Sequence, residues 1–198
     1  VGLAVAERQY VGLFDVVVAQ GARNQGLGTR LVHHLLAWGH ARGAEVARLS
    51  HRGRVLAVDL KGTIACSYAA GAAMREQPTG GAIVNMSWDH VTSGMAGPNP
   101  ELFSAVKGGV LSYSKSLARA LAPAVRVNVL CPGWIETAMV RPVFEDKEYE
   151  KSVIDSIPLK RIATTDDISL SICFLLSDWS RHITGEILNI NGGAVLSG

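Results

Sequence analysis

Short apolar runs of strand length alternate along this chain with segments whose apolar residues recur at helical period, and no other feature constrains its fold as strongly. Residues 10–19, Tyr-Val-Gly-Leu-Phe-Asp-Val-Val-Val-Ala, are rich in β-branched and aromatic side chains and read as a buried strand. From Gly26 to about Arg42 the residues Leu27, Leu31, Leu35 and Trp38 recur at helical spacing, Gly43 supplies a stop, and 45–49 reads as a second strand. That order makes a β-loop-α-β unit. A helix is expected over 55–74, ended by Pro78-Thr79-Gly80-Gly81, then a strand over 82–87 and a polar Gly/Pro-rich loop over 88–100. A helix over 101–121 and a strand over 125–130, closed by Pro132-Gly133, follow. The mixed charges of 134–157 suggest a mobile loop with a short helix. Thr164, Thr165 and Asp166 are possible caps for a helix over 166–176, and 186–190 is the last expected strand. Strands and helices alternating in this way imply an α/β fold, a mostly parallel sheet with helices on both faces.

Composition narrows the class of function. With 48% hydrophobic and 18% charged residues, the chain can bury one sizeable core, so a single domain over 1–198 is expected. Nineteen basic and seventeen acidic residues are scattered, with no basic run or basic-aromatic interleaving, which speaks against nucleic acid and for a small-molecule substrate. Cys66, Cys131 and Cys173 are odd in number and far apart without neighbouring His, so neither a disulfide framework nor a metal site is expected. They read as three buried small apolar residues. No apolar run approaches the roughly 18 residues of a membrane span. The first residues carry no charged leader ahead of their apolar stretch, so a cytoplasmic protein is expected.

Five segments in order carry a likeness to a known family. They are Val-Asp-Leu-Lys-Gly at 58–62, Gly-Gly-Ala-Ile-Val-Asn-Met-Ser at 80–87, and Phe-Ser-Ala-Val-Lys at 103–107. Val-Arg-Val-Asn-Val-Leu-Cys-Pro-Gly-Trp-Ile-Glu-Thr at 125–137 and Ile-Thr-Gly-Glu-Ile-Leu-Asn-Ile-Asn-Gly-Gly at 183–193 complete the set. Together they resemble the short-chain dehydrogenase/reductase family over residues 55–198. The resemblance implies a doubly wound, Rossmann-like fold shortened at its N-terminal half, NADP or NAD as cofactor, and hydride transfer involving a carbonyl or alcohol.

Carried over position by position, the family's catalytic lysine matches Lys107, which would hold the nicotinamide ribose. Its tyrosine matches Phe103, which has no proton to give. Tyr113 shares the helix but has Leu117 four residues on, and reads as structural. Ser87 could be what remains of the family's Asn-x-Ser-Ser turn after Asn85, or simply a hydroxyl at a strand end. The family's relay asparagine matches Asp59. Asp89 or His90 could supply the missing proton, or both could be solvated loop residues. On the cofactor side, Asn85, Pro132 and Gly133 belong to the matching segments, the Ile135 backbone would meet the nicotinamide carboxamide, and Thr137 would bond the carboxamide or a phosphate. Trp134 would form an apolar wall. The segment Asn189-Ile190-Asn191-Gly192-Gly193 resembles a last strand and turn often found at a subunit interface, which implies a homo-oligomer, a dimer or a tetramer.

Residues 1–54 are expected to bind the nucleotide. Gly21-Ala22-Arg23-Asn24-Gln25-Gly26-Leu27-Gly28 is a glycine-rich turn ahead of a helix, with one residue too many for the family's dinucleotide fingerprint. Residues 10–49 resemble instead the acetyl-CoA-binding core of GCN5-related N-acetyltransferases. Either loop works by the same physics: backbone N–H groups at a helix start, with no β-carbon at Gly26 and Gly28, cradle a pyrophosphate. Gly21, Arg23, Gly26 and Gly28 are therefore candidate cofactor residues, and Arg48 and Arg52 could meet a 2′-phosphate or be solvated. The chain reads as a chimera of this unit with a dehydrogenase-like half. Three functions remain open: a weakened oxidoreductase, an inactive binding or assembly subunit, and an acetyl-CoA-dependent transferase.

Overall fold

The computed structural model describes residues 3–7, 10–14, 55–95, 100–138 and 140–196, and the chain divides into two compact units, Val1–Ala72 and Ala73–Gly198. In the first unit strand β1 (Leu3–Glu7) pairs antiparallel with β2 (Tyr10–Phe14), Leu3 opposite Phe14 and Glu7 opposite Tyr10. The strand expected over 10–19 thus has a described part that ends at Phe14 and pairs with a strand the sequence reading lacked. The expected glycine loop, helix and second strand of 15–54, with Gly21, Arg23, Gly26, Gly28, Arg48 and Arg52, lie outside the described residues. The helix expected over 55–74 opens as a π-helical stretch, Val55–Gly62, and continues as α1 (Thr63–Arg75). Where the pitch changes, the Thr63 hydroxyl donates to the Asp59 carbonyl at 2.7 Å.

The second unit is built on a parallel sheet of β3 (Gly81–Met86), β4 (Val125–Pro132) and β5 (Ile187–Ile190), in that order. Gly80 launches β3 with φ +62°, and a Cβ there would lie 1.9 Å from the Ala124 carbonyl oxygen, so only glycine fits. Helix α2 (Pro100–Leu121) connects β3 to β4; α3 (Lys147–Ser156) and α4 (Thr165–Leu176) lie between β4 and β5. Val106, Val110, Ser114, Leu117 and Leu121 recur every three or four residues and form the buried face of α2. Its Leu117, Ala118 and Leu121 cluster with Val125, Val127, Ile83 and Tyr113. Residues of the opposite parity, Val84, Met86, Leu130, Leu188 and Ile190, cluster instead with Ile168, Ile172 and Leu175 of α4. Side chains alternate along a strand, so the two helices cover opposite faces, as a parallel sheet requires.

The string Arg126-Val127-Asn128 is explained by this packing. One Arg126 guanidinium nitrogen donates to the Leu175 carbonyl at 2.9 Å, the Ser180 hydroxyl at 3.0 Å and the Ile183 carbonyl at 3.3 Å. Its other nitrogen reaches the Ser177 carbonyl at 3.1 Å. Those carbonyls end α4 and begin the return to β5, which have no helical donor of their own. Asn128 holds the same return, donating to Ile183 and accepting from the Glu186 N–H, both at 3.0 Å.

The short helix expected within 134–157 is present with a turn and a core beside it, and the reading of the cysteines needs correction. The stretch 134–157 holds a 3₁₀ turn, Arg141–Glu145, and the ten-residue α3, whose start is capped by Asp146 accepting from the N–H groups of Glu148 and Tyr149. Its buried Phe144, Val153 and Ile157 pack against Trp134 and give the segment a small core of its own. The cysteines are also not alike. Cys131 is buried in β4, Cys66 is half-buried, and Cys173 is exposed on the outer side of α4.

Candidate active site

The carboxyl ends of β3, β4 and β5 meet in one place, the position where open α/β sheets bind ligands. Ser87, Trp88 and Asp89 follow β3, Gly133 and Trp134 follow β4, and Asn191 follows β5. The Gly133 N–H donates to the Ile190 carbonyl at 3.1 Å, joining two of these ends. A cavity of about 170 Å³ opens beside them, lined by Trp88, Asp89, His90, Met95, Phe103, Gly133 and Trp134.

Phe103 and Lys107 stand one helical turn apart on α2, and the Lys107 Nζ lies 5.6 Å from the centroid of the Phe103 ring. The edge of Trp88 meets the same ring at 5.1 Å between centroids. Ser87 is buried and turned from the cavity toward α2: its hydroxyl donates to the Lys107 carbonyl at 2.9 Å. Asn85 also faces α2, its amide donating at 2.9 Å to the Ser114 hydroxyl, which donates to the Val110 carbonyl. Both side chains therefore fasten the end of β3 to the helix that carries Lys107. Cys131 lies close to Ser87, Asp89 and Lys107; burial pushes its thiol up from the usual value and the Asp89 charge adds to this, while the Ser87 hydrogen bond pulls it down. A thiol so placed is poorly disposed to act as a nucleophile. Asp59 belongs to the first unit and is described with it.

Asp89 and His90 are not the solvated loop residues that were one reading of them. They form a 3₁₀ turn with Val91, and Asp89 is only 3% exposed. One Asp89 carboxylate oxygen lies 2.8 Å from His90 Nδ1, and the other accepts from the Asn191 amide at 3.2 Å. Asn191 also donates to the Val195 carbonyl at 2.8 Å and accepts from the Gly193 N–H at 3.0 Å. Asn191 was missed as a site residue, because it lies 102 positions from Asp89 and no local pattern links the two. The Asn-Gly-Gly turn around it was the available signal. The chain passes against both groups at Gly133, where a Cβ would fall 2.8 Å from the Asn191 Cβ and 3.1 Å from an Asp89 carboxylate oxygen.

The backbone after β4 fits the carboxamide end of a nicotinamide. Ile135 bridges Ala163 through its neighbours: the Ala163 N–H donates to the Trp134 carbonyl at 3.1 Å, and the Glu136 N–H to the Ala163 carbonyl at 2.8 Å. In such a bridge the N–H and C=O of Ile135 itself point the other way, one donor and one acceptor side by side. A carboxamide presents the complementary pair. Thr137 lies two residues on and lines a neighbouring cavity of about 400 Å³ with Arg141 and Arg161. Trp134 lines the strand-end cavity and is braced by Phe144 at 5.4 Å and Tyr149 at 6.4 Å between centroids. Among the described residues no group of His, Cys, Asp and Glu could hold a metal ion.

A family model described as enoyl-(acyl carrier protein) reductase matches residues 19–195. The chain belongs to the short-chain dehydrogenase/reductase family. The 3-oxoacyl-[acyl-carrier-protein] reductase FabG of Staphylococcus epidermidis is 33% identical over 140 residues, 70% of this chain and 55% of that protein. The structure of a short-chain dehydrogenase/reductase of the glucose/ribitol dehydrogenase type from Brucella melitensis is 30% identical with TM-score 0.65, covering 74% of this chain and 57% of that one. A tyrosine-to-phenylalanine variant of ElxO with NADPH bound is 27% identical with TM-score 0.65, covering 75% of this chain and 60% of that one. This chain spans about half the length of the curated relatives it matches. The short-chain dehydrogenase match begins at residue 19 and takes in the glycine turn, so most of the stretch read as resembling an acetyltransferase core falls within this same family. Acetyl-CoA gains no support from any of these likenesses.

Proposed function

We propose that this chain binds NADP or NAD across the carboxyl ends of its parallel strands and acts as a weakened oxidoreductase on a carbonyl or alcohol substrate. The observation that carries this reading is Lys107, one helical turn from Phe103 and 5.6 Å from its ring, beside a cavity at the ends of β3 and β4. A reduced nicotinamide, when bound, supplies the hydride. Lys107 holds its ribose, the Ile135 backbone orients its carboxamide, and Thr137 bonds the carboxamide or a phosphate. Asn85 and Ser87 keep the end of β3 and α2 in register beneath it, and Pro132 with Gly133 sets the close approach of β4. Trp88, Met95, Phe103 and Trp134 give the substrate an apolar, water-poor wall. Gly21, Arg23, Gly26 and Gly28 serve the nucleotide's pyrophosphate in this reading. Phe103 can pack but not donate, and an absent proton donor typically lowers the rate by roughly 10²- to 10⁴-fold. That the tyrosine-to-phenylalanine variant of ElxO has NADPH bound supports cofactor binding without the hydroxyl. The FabG likeness supports a 3-oxoacyl thioester as the first substrate to try.

The same loss of a hydroxyl favours the second reading, an inactive family member that serves in binding or assembly. Leu170 and Trp179, 70% and 87% exposed, support a homo-oligomer, and a cytoplasmic location accompanies either reading. Fluorescence titration with NADPH and NADH, together with turnover of acetoacetyl-CoA, tests both. We expect nucleotide binding by the wild type, at least tenfold weaker binding by Lys107→Met, and a rise in turnover of roughly 10² or more in Phe103→Tyr. Binding without turnover in either protein would favour the inactive member; no binding of either nucleotide would sink both cofactor-based readings.

A further inference from the structure

The geometry points to His90, held by Asp89, as the proton donor that serves this cavity where Phe103 cannot. The inference rests on the proposed oxidoreductase reading. Three observations converge on it. The Asp89 carboxylate is buried, and one of its oxygens is committed to His90 Nδ1 at 2.8 Å. An ionised carboxylate only accepts, so Nδ1 carries the hydrogen and Nε2 is left as the working nitrogen. Asp89 is itself fixed from the far side by Asn191, so the imidazole is aimed by a chain of contacts from β3 to β5. His90 and Phe103 line the same cavity and both touch Trp88, with the imidazole stacked on the indole at 5.2 Å and the phenyl ring at 5.1 Å. The His90 side chain is one quarter exposed, enough to exchange protons with water.

In carbonyl reduction the protonated His90 gives its Nε2 proton to the substrate oxygen. The N–H bond breaks and an O–H bond forms on the substrate oxygen; a reduced nicotinamide, when bound, would supply the hydride that takes the carbonyl to an alcohol and would itself be oxidised. The neutral imidazole then regains a proton from water. Asp89 is a positioning residue in this scheme: it selects the tautomer and steadies the imidazolium, the role a buried carboxylate plays beside any histidine that shuttles protons. Among the described residues Cys131 on β4 and Lys107 on α2 are ionisable groups beside Asp89 and Phe103, and Lys115 and Glu186 line a cavity on the other side of Asp89.

The test joins a spectroscopic readout to kinetics, using the full chain. With ¹⁵N-histidine labelling, two-bond ¹H–¹⁵N correlation spectra of the protein without ligands should show the neutral His90 as the Nδ1–H tautomer, and Asp89→Asn should lose that preference. With NADPH and acetoacetyl-CoA, His90→Gln should lower kcat by roughly 10²-fold while the NADPH Kd stays within about twofold. Added imidazole should restore part of the rate in His90→Gly, and Phe103→Tyr should restore turnover in His90→Gln, which shows that the variant is folded. An Nε2–H tautomer in the wild type, or His90→Gln turning over like the wild type, overturns the inference and leaves the cofactor reading standing. Turnover that appears only once Phe103→Tyr is introduced does the same. Failure of NADPH to bind the wild type removes the cofactor reading, and this inference falls with it.

Discussion

Position 103 separates what a residue does for packing from what it does for chemistry. The Phe103 ring packs against Trp88 and lies beside the Lys107 ammonium, yet a phenyl group has no proton to give, so the contacts are in place whatever the chemistry. Gly133 is the reverse case, a residue without a side chain on which other side chains depend. A methyl group there would fall too close to the Asn191 Cβ and tight against an Asp89 carboxylate oxygen, and Asn191 is held at both ends of its amide. Gly133→Ala is therefore expected to cost about 1–3 kcal/mol, as overpacking in a tight interior does. The urea midpoint measures it, and an unchanged midpoint would mean that the loop yields. Phe103 stood out in the sequence because the resemblance sets it in a short local spacing with Lys107. The burial of Asp89 did not, since it depends on a partner from the other end of the chain.

Elements with a strong hydrophobic period were legible with their bounds, and α4 was legible through its cap residues, whereas α3 was expected only as a short helix without bounds. Helix α2 presents six buried residues along one face, and β4 is buried at seven of its eight positions, so both stood out from composition and spacing. Helix α3 buries only Val153 within its ten residues, so Lys-Glu-Tyr-Glu-Lys-Ser-Val-Ile-Asp-Ser shows a short helix without its bounds unless the Asp146 cap is weighed. Helix α4 shows how much such an end contributes. Thr164 accepts from the Asp167 N–H and Asp167 accepts from the Thr164 N–H, a reciprocal cap, while Arg161 grips the Asp167 carboxylate with both guanidinium nitrogens at 2.7 and 2.8 Å. Thr164→Ala should cost about 1 kcal/mol. The Arg161 guanidinium and the Thr164 donors hold the Asp167 carboxyl well below the usual carboxylate range. A lowered folded value means that this contribution is complete above the ordinary carboxylate value of about 3.9 and is lost as pH falls below it. Melting curves of the wild type and Asp167→Asn should therefore differ most near neutrality and converge on acidification; a difference that grows in acid would contradict the assignment.

At the scale of the whole chain, two family signatures compete for residues 10–49, and physics alone does not separate them, because both cradle a pyrophosphate on glycine N–H groups at a helix start. The match over 19–195 settles family membership, and the site at the strand ends supplies a chemical expectation in the same direction. In the proposed reading a carboxamide would meet the donor and acceptor at Ile135, and a ribose would meet Lys107. The adenine and pyrophosphate halves of a dinucleotide are common to many cofactors, so discrimination must come from that end. A ligand bound only by the folded state raises its stability by about 2.7 kcal/mol at a free concentration 100 times Kd. For a chain of this length that corresponds to a melting shift of roughly 5–10 °C. Saturating NADPH or NADH should therefore raise the melting temperature by that amount, and Lys107→Met should reduce the rise at a fixed nucleotide concentration. Acetyl-CoA, which shares the pyrophosphate and adenine but has no nicotinamide, should leave it nearly unchanged. An equal shift with acetyl-CoA would mean that the strand-end groups contribute nothing to recognition, and the site beside Lys107 would lose its assigned role.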